Sequence, residues 1–289
     1  MLAAQHGGIS SFGYSGTIAH VVLRFSATPR SGDRRERSLV AYKQVKFGWH
    51  EAPNSFVQRS LLRPDGGEMF LSPGAGPLQA AIANHVIHGN VIFPGAGYLE
   101  MGRAAVRSAV QTAATSAALN GVFFLQPLAA EVAGLYVECT VTDGRFEIRS
   151  GILASDGNSL EDAALNCSGS FSESDNWQRD EQAAVRGSVC ARSSDVNALY
   201  DGYDAVGLQY GPGYRTIVQA WGAEVMAAAR LRARSAMHGT QVHPADLDDA
   251  LCVVALASSG QGGGATRLPF AVDDARLQGA PGMLWAVRG

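Results

Sequence analysis

The sequence predicts an α+β fold in which antiparallel sheet wraps around apolar helix, and three observations carry that prediction. Leu135, Val137, Cys139 and Val141 alternate with outward-facing residues, and Phe146 and Ile148 resume the alternation after Asp143-Gly144. This is the pattern of a tight-turned antiparallel hairpin. A helix over Gly95 to Ala109 follows from Leu99, Val106 and the flanking Val110 at helical spacing, with Gly102 on that face and Arg103 and Arg107 one turn apart on another. The order then repeats coarsely: extended segments, a helix from about Pro244 to Ala257 with Leu247, Leu251 and Val254 on one face, and extended residues to Val287. Two copies of one sheet-around-helix unit are expected from this order, although no residue-level repeat marks them.

Composition agrees with a globular chain. Of 289 residues, 46% are hydrophobic and 17% charged, enough apolar surface for a sizeable core. A net charge of −3 presents no basic face for nucleic acid, and no apolar run approaches the ~20 residues of a membrane span. Without a charged and then apolar leader at Met1 to Ser10, a cytoplasmic location is expected. Cys139, Cys167, Cys190 and Cys252 are scattered with no CxxC pair, so four reduced thiols are expected rather than disulfides or a zinc site, the first three packing as small hydrophobes. Two polar breaks, Ser26 to Glu36 and Ser172 to Arg186, read as linkers.

The chemistry gathers at these units. His85 opens the run His85-Val86-Ile87-His88-Gly89-Asn90-Val91-Ile92-Phe93-Pro94-Gly95-Ala96-Gly97-Tyr98, which ends where the first helix begins. Pro94 suits a helix entrance, and Gly95 and Gly97 would let backbone N–H groups face a ligand where the helix dipole favours negative charge. Imidazole suits proton abstraction near neutral pH, so the stretch offers a base and an oxyanion site, whereas His88 reads as a solvated loop residue. A histidine near a glycine-rich turn is, on its own, more often structural than catalytic.

His85-x3-Gly89-x4-Pro94 followed by Gly-Ala-Gly-Tyr-Leu-Glu closely resembles the active-site motif of polyketide synthase dehydratases. In the second half His243-Pro244-Ala245-Asp246-Leu247-Asp248-Asp249-Ala250-Leu251-Cys252 resembles that family's HPxxLDxxxQ signature, and Gly207 to Tyr214 resembles GLxYGPxF. Phe123 to Leu128 and Leu268 to Asp273 are similar to the strands that follow the two helices, so the resemblance runs in family order over about residues 47–289. It implies a double hot-dog fold, with His85 as proton acceptor and Asp248 as proton donor. Gly89, Pro94, Gly95, Gly97, Tyr210, Gly211, Pro212 and Cys252 would support them, with Tyr210 lining the pocket; without the family, Tyr210 reads as a buried aromatic. Cys252 departs from the family's Gln or His and, four residues on from Asp248, would hold it less firmly. Asn84 replaces the common Asp with little expected effect. Asp246 and Asp249 are open to two readings: like charges that keep Asp248 protonated, or carboxylates decorating an exposed helix start.

Gly8 to Leu23, with Ser10-Ser11-Phe12-Gly13 and Ala19-His20-Val21-Val22-Leu23, is similar to the last conserved stretch of ketosynthases, SSFGFGGTNAHVVLE, with Ile18 for Asn. The implied organisation is a ketosynthase remnant at 1–25, a linker at 26–46, dehydratase halves at 47–175 and 191–289, and a linker at 176–190. A ketosynthase tail so close to a dehydratase resembles synthases whose acyltransferase acts in trans. Family members continue past Gly289, so closing strands are expected to be missing. The resemblance implies dehydration of a β-hydroxyacyl thioester carried on the phosphopantetheine of an acyl carrier protein, no cofactor in this domain, neighbouring ketosynthase and ketoreductase domains, and a homodimer. The alternatives are a product-template or isomerase-type double hot dog and a non-catalytic structural module.

Overall fold

The computed structural model describes residues 5–12, 18–25, 54–110, 117–173, 192–223, 226–256, 269–277 and 285–288. The chain divides into two compact units, Met1–Phe47 and Gly48–Gly289. In the first, β1 (Gln5–Phe12) and β2 (Ile18–Phe25) pair antiparallel from Gln5↔Phe25 to Phe12↔Ile18. The segment expected as a linker at 26–46, and that at 176–190, lie outside the described residues.

The second unit is α+β with antiparallel sheets. It begins with β3 (Arg59–Leu62), β4 (Glu68–Pro73), α1 (Pro77–Ile82) and the two-residue strands β5 (Val86–Ile87) and β6 (Asn90–Val91). There follow α2 (Gly95–Val110), β7 (Ala117–Phe124), β8 (Leu135–Thr142), β9 (Arg145–Leu153) and β10 (Leu160–Glu173). The predicted hairpin is β8–β9, in register Thr142↔Arg145, with Asp143 at φ 48° and Gly144 at φ 74° making the left-handed two-residue turn that strand twist favours. Leu135, Val137, Cys139 and Val141 on β8 and Phe146 and Ile148 on β9 all face the core.

Against this face lies α2. Its Leu99, Met101, Ala105 and Val106 join the sheet residues in one cluster, and Gly102 lets the helix settle on Phe146, whose ring a Cβ would meet at 2.9 Å. The spacing Leu99 to Val106 therefore marks the buried stripe. That α2 is buried on nearly every side, Arg103 included, is more than the periodicity shows.

After the second polar break come β11 (Ser193–Ser194), α3 (Val196–Ala205), β12 (Ile217–Gly222), β13 (Ala227–Leu231), α4 (Pro244–Cys252) and a 3-10 turn at Val253–Leu256. Asp195 caps α3, its carboxylate accepting from the N–H groups of Asn197 and Ala198. The chain ends with β14 (Ala271–Arg276) and β15 (Trp285–Arg288). A four-stranded sheet has the order β11-β12-β13-β15.

Two expectations change here. The strand expected in the second half, β14, hydrogen-bonds instead to β7, giving a seven-stranded sheet of order β14-β7-β10-β9-β8-β4-β3. The two sheets are thus unequal. The second helix is shorter than Pro244 to Ala257, and its buried side is not the apolar stripe alone: Leu247 packs on the first core but Leu251 is 41% exposed, while Asp246, Asp248 and Asp249 are buried. No helix among the described residues is long and apolar enough to cross a membrane.

Candidate active site

His85 sits between the end of α1 and β5, held by its backbone: its N–H donates to the Ile82 carbonyl and its carbonyl accepts from Ile92 N–H. Its ring is held as well. Nδ1 lies 2.6 Å from the Ile92 carbonyl oxygen. A carbonyl only accepts, so the proton of the neutral ring is on Nδ1 and the Nε2 lone pair is left to take a proton. That Nε2 lies 3.8 Å from Asp248 Oδ2. Tyr210 and Tyr214 wall the imidazole, with ring centroids 5.6 and 5.3 Å away.

The turn after Tyr210 explains the glycines of GLxYGPxF. Gly211 N–H donates to the Asn84 carbonyl at 2.8 Å and Gly213 N–H to Asn84 Oδ1 at 3.3 Å. A Cβ on Gly211 would meet Asn84 Oδ1 at 2.2 Å, so the close approach demands glycine. Arginines hold the turn's carbonyls: Arg215 Nε on Tyr210 O, Arg232 Nη2 on Pro212 O and Arg234 Nη2 on Gly213 O, at 2.7, 2.9 and 2.9 Å. Arg234 also pairs with Asp246 at 2.9 Å, tying the turn that holds Asn84, next to His85, to the helix that bears Asp248.

Asp248 projects from the first turns of α4, where His243 caps the helix by accepting Ala245 N–H. Burial beside Arg234 lowers the His243 pKa to about 3, so this imidazole stays neutral and free to accept. The Asp248 carboxyl is held above the ordinary carboxylate range by desolvation, tempered by His85 and by a hydrogen bond from Tyr210. The exposed-helix-start reading of its neighbours does not hold. Asp246 is buried and neutralised by Arg234, and Asp249 is buried with Oδ2 accepting from Tyr200 Oη, Thr216 N–H and Thr216 Oγ. Burial raises Asp248, and the like charge between Asp248 and Asp249 is felt at Asp249, whose proton affinity it raises.

Burial likewise raises Asp249 to about 6 from 3.8. The folded state therefore holds this proton more tightly than the unfolded chain, so its contribution to stability is full below about pH 4 and lost as pH rises through 6. Asp249→Asn keeps an acceptor for the three donors but cannot titrate. The stability difference, variant minus wild type, should grow more favourable to the variant by up to about 3 kcal/mol between pH 4 and 7. Urea melts at the two pH values measure it, and an unchanged difference would refute the assignment.

A further buried carboxylate, Glu100, ties the halves of the unit together. Glu100 on α2 is 0% exposed, is paired with Arg103 through bonds of 2.8 and 2.6 Å, and accepts the Gln241 N–H at 2.8 Å, two residues before the α4 cap. Glu100→Ala would leave the Arg103 guanidinium buried without its partner, at a cost of about 3–5 kcal/mol. Denaturant unfolding reads that loss; a shift below about 1 kcal/mol would contradict it.

His85, Tyr210, Asp248, Cys252 and Gly95 all line one cavity of about 660 Å³. Tyr98, Phe124, Leu208, Leu251 and Phe270 also contribute, and none of these was singled out from the sequence as lining a site. Tyr210 Oη lies 3.4 Å from Cys252 Sγ, in the position from which it also reaches Asp248.

The other predicted supporting residues do not touch the cavity. Gly89, at φ 78°, makes with His88 the two-residue turn between β5 and β6; His88 is exposed and its ring lies over Gly207. Pro94 O caps α2 by accepting from Gly97 and Tyr98 N–H, so the Gly97 N–H is not available to a ligand, and Gly97 instead gives room to the Phe93 ring. Gly211 and Pro212 belong to the turn on Asn84.

Two family models match the chain, one described as polyketide synthase dehydratase domain over residues 56–151 and one as polyketide synthase dehydratase N-terminal domain over residues 178–288. Polyketide synthase ThaG of Burkholderia thailandensis is 30% identical over 238 residues, 80% of this chain and 4% of ThaG. Polyketide synthase PksN of Bacillus subtilis is 28% identical over 208 residues, 69% of this chain and 4% of PksN. The chain thus spans a small fraction of these curated relatives. Among solved structures, the erythromycin dehydratase superposes with a TM-score of 0.68 at 20% identity, covering 82% of this chain and 86% of that one. The dehydratase domain from the CurF module of curacin polyketide synthase gives 0.67 at 21%, covering 81% and 87%. At such identities the likeness is one of fold. The CurK dehydratase has been solved as two inactive mutants, one with a histidine replaced by phenylalanine and one with an aspartate replaced by asparagine.

Proposed function

The chain belongs to the polyketide synthase dehydratase family, and on that premise we propose that it removes water from a β-hydroxyacyl thioester to leave the α,β-unsaturated thioester. The observation that carries this reading is His85 Nε2, turned by the Nδ1 contact with the Ile92 carbonyl to lie 3.8 Å from a buried carboxyl with raised proton affinity, inside one cavity. Base and acid are thus present with opposite proton demands. His85 Nε2 takes the α-proton, the Nδ1 hydrogen bond to Ile92 steadying the imidazolium. Asp248 gives its proton to the departing β-hydroxyl, which leaves as water. Charge developing on the thioester oxygen is met at the start of α2, where Gly95 lines the cavity. The inactive CurK mutants, which lack a histidine in one case and an aspartate in the other, support the same pair of roles.

The reading includes a double hot-dog arrangement, supported by α2 packing on β4, β7, β8 and β9 and by α4 packing near β15. It includes an acyl carrier protein as the partner whose phosphopantetheine delivers the substrate, neighbouring ketosynthase and ketoreductase domains, residues 1–25 as a ketosynthase remnant, and pairing of two copies. The test is incubation of the chain with a β-hydroxybutyryl carrier-protein thioester, followed by mass spectrometry. Loss of water supports dehydration, a shifted double bond without water loss would favour an isomerase, and carrier binding without turnover would mark a structural module.

A further inference from the structure

We propose that Cys252 is a site of reversible covalent capture for α,β-unsaturated thioesters, a second reaction of the same cavity that rests on the dehydratase reading for its ligand class. Of the described thiols Cys252 alone lines the cavity; Cys139 and Cys167 are fully buried in the sheet. It stands four residues from Asp248 on α4, hence one turn away on the same face, and its Sγ is fixed at 3.4 Å from Tyr210 Oη. An independent feature marks the place as built for a ligand. Asp248 is 9% exposed, lines the same cavity, and its Oδ2 has no hydrogen-bond partner among the described residues.

Dehydration leaves the pair as a protonated His85 and an Asp248 carboxylate, the form that would also return water to the double bond. A thiol can stand in for that water. Asp248 takes the Cys252 proton as Sγ bonds to the β-carbon, the π pair moves to the α-carbon, and His85 delivers its proton there. The product is a β-thioether with no oxidant or further reactant, and the reverse steps release the enoyl thioester. Burial holds the resting thiol un-ionised, so capture depends on proton removal by Asp248 rather than on a standing thiolate.

The chain is incubated at neutral pH with crotonyl N-acetylcysteamine thioester, and intact mass and peptide mapping are followed with time. One addition of the probe's mass is expected on Cys252, none on Cys139 or Cys167, none on that peptide in Cys252→Ser, and labelling at least roughly 10-fold slower in Asp248→Asn. An unlabelled wild type, labelling spread over several cysteines, or equal rates in Asp248→Asn would overturn the proposal. Dehydration of a β-hydroxybutyryl thioester is measured in parallel. Turnover without labelling removes the capture reaction alone, and labelling without turnover removes the dehydratase reading alone.

Discussion

His85→Ala is expected to lower kcat for dehydration by roughly 10³-fold while leaving the fold intact, because a positioned base contributes about 10² to 10⁴ and no other imidazole among the described residues lines the cavity. The side chain's one structural bond is Nδ1 to Ile92, while the segment itself is held by backbone bonds to Ile82 and Ile92. Circular dichroism and substrate-analogue binding should therefore change little. Activity within tenfold of wild type would remove His85 from the chemistry, and with it the meaning assigned to its tautomer.

Asp248→Asn is expected to cost a similar factor by a different route. Asn keeps the shape but has no acidic proton for the leaving hydroxyl. A substrate whose β-leaving group needs no protonation should recover turnover in Asp248→Asn and stay inert in His85→Ala, which separates acid from base. The acid works only when protonated, so wild-type activity should fall as pH rises through the elevated Asp248 pKa. That alkaline limb should be absent from the residual activity of Asp248→Asn. A limb that persists there would show that another group supplies the proton.

The motifs around His85 and Asp248 were legible because each is local: a histidine, a turn and a helix start within one stretch, and an aspartate in the first turns of a capped helix. The β8–β9 hairpin was legible for the same reason. What the sequence could not display was burial by distant chain. One of the two readings put Asp249 on the surface because its donors, Tyr200 and Thr216, come from elsewhere in the second half, and the Asp246 partner Arg234 stands outside the motif. Leu251 looked like core because periodicity reports a stripe without saying whether it meets protein or an open cavity. Gly97 looked like a ligand contact and Gly211 like a support of the site, but each makes room for a side chain, Phe93 and Asn84 respectively. Only one missed feature left a trace. His88-Gly89 between Ile87 and Asn90 is a two-residue hairpin signal, and it assigns Gly89 to that turn.

The pairing of β14 with β7 also bears on how the chain is made. Ala275 meets Leu119 and Val272 meets Val122, so the edge of the first sheet is supplied by chain synthesised long afterwards. At about 5–20 residues per second, a ribosome would need on the order of 10 s between releasing the two strands. Through that interval the nascent sheet ends at β7, with Phe123 on an open edge, and contacts of such sequence separation are the slow ones to form. Fragments that stop before residue 271 should therefore expose this strand to neighbouring chains and precipitate, even though both His85 and Asp248 lie within them.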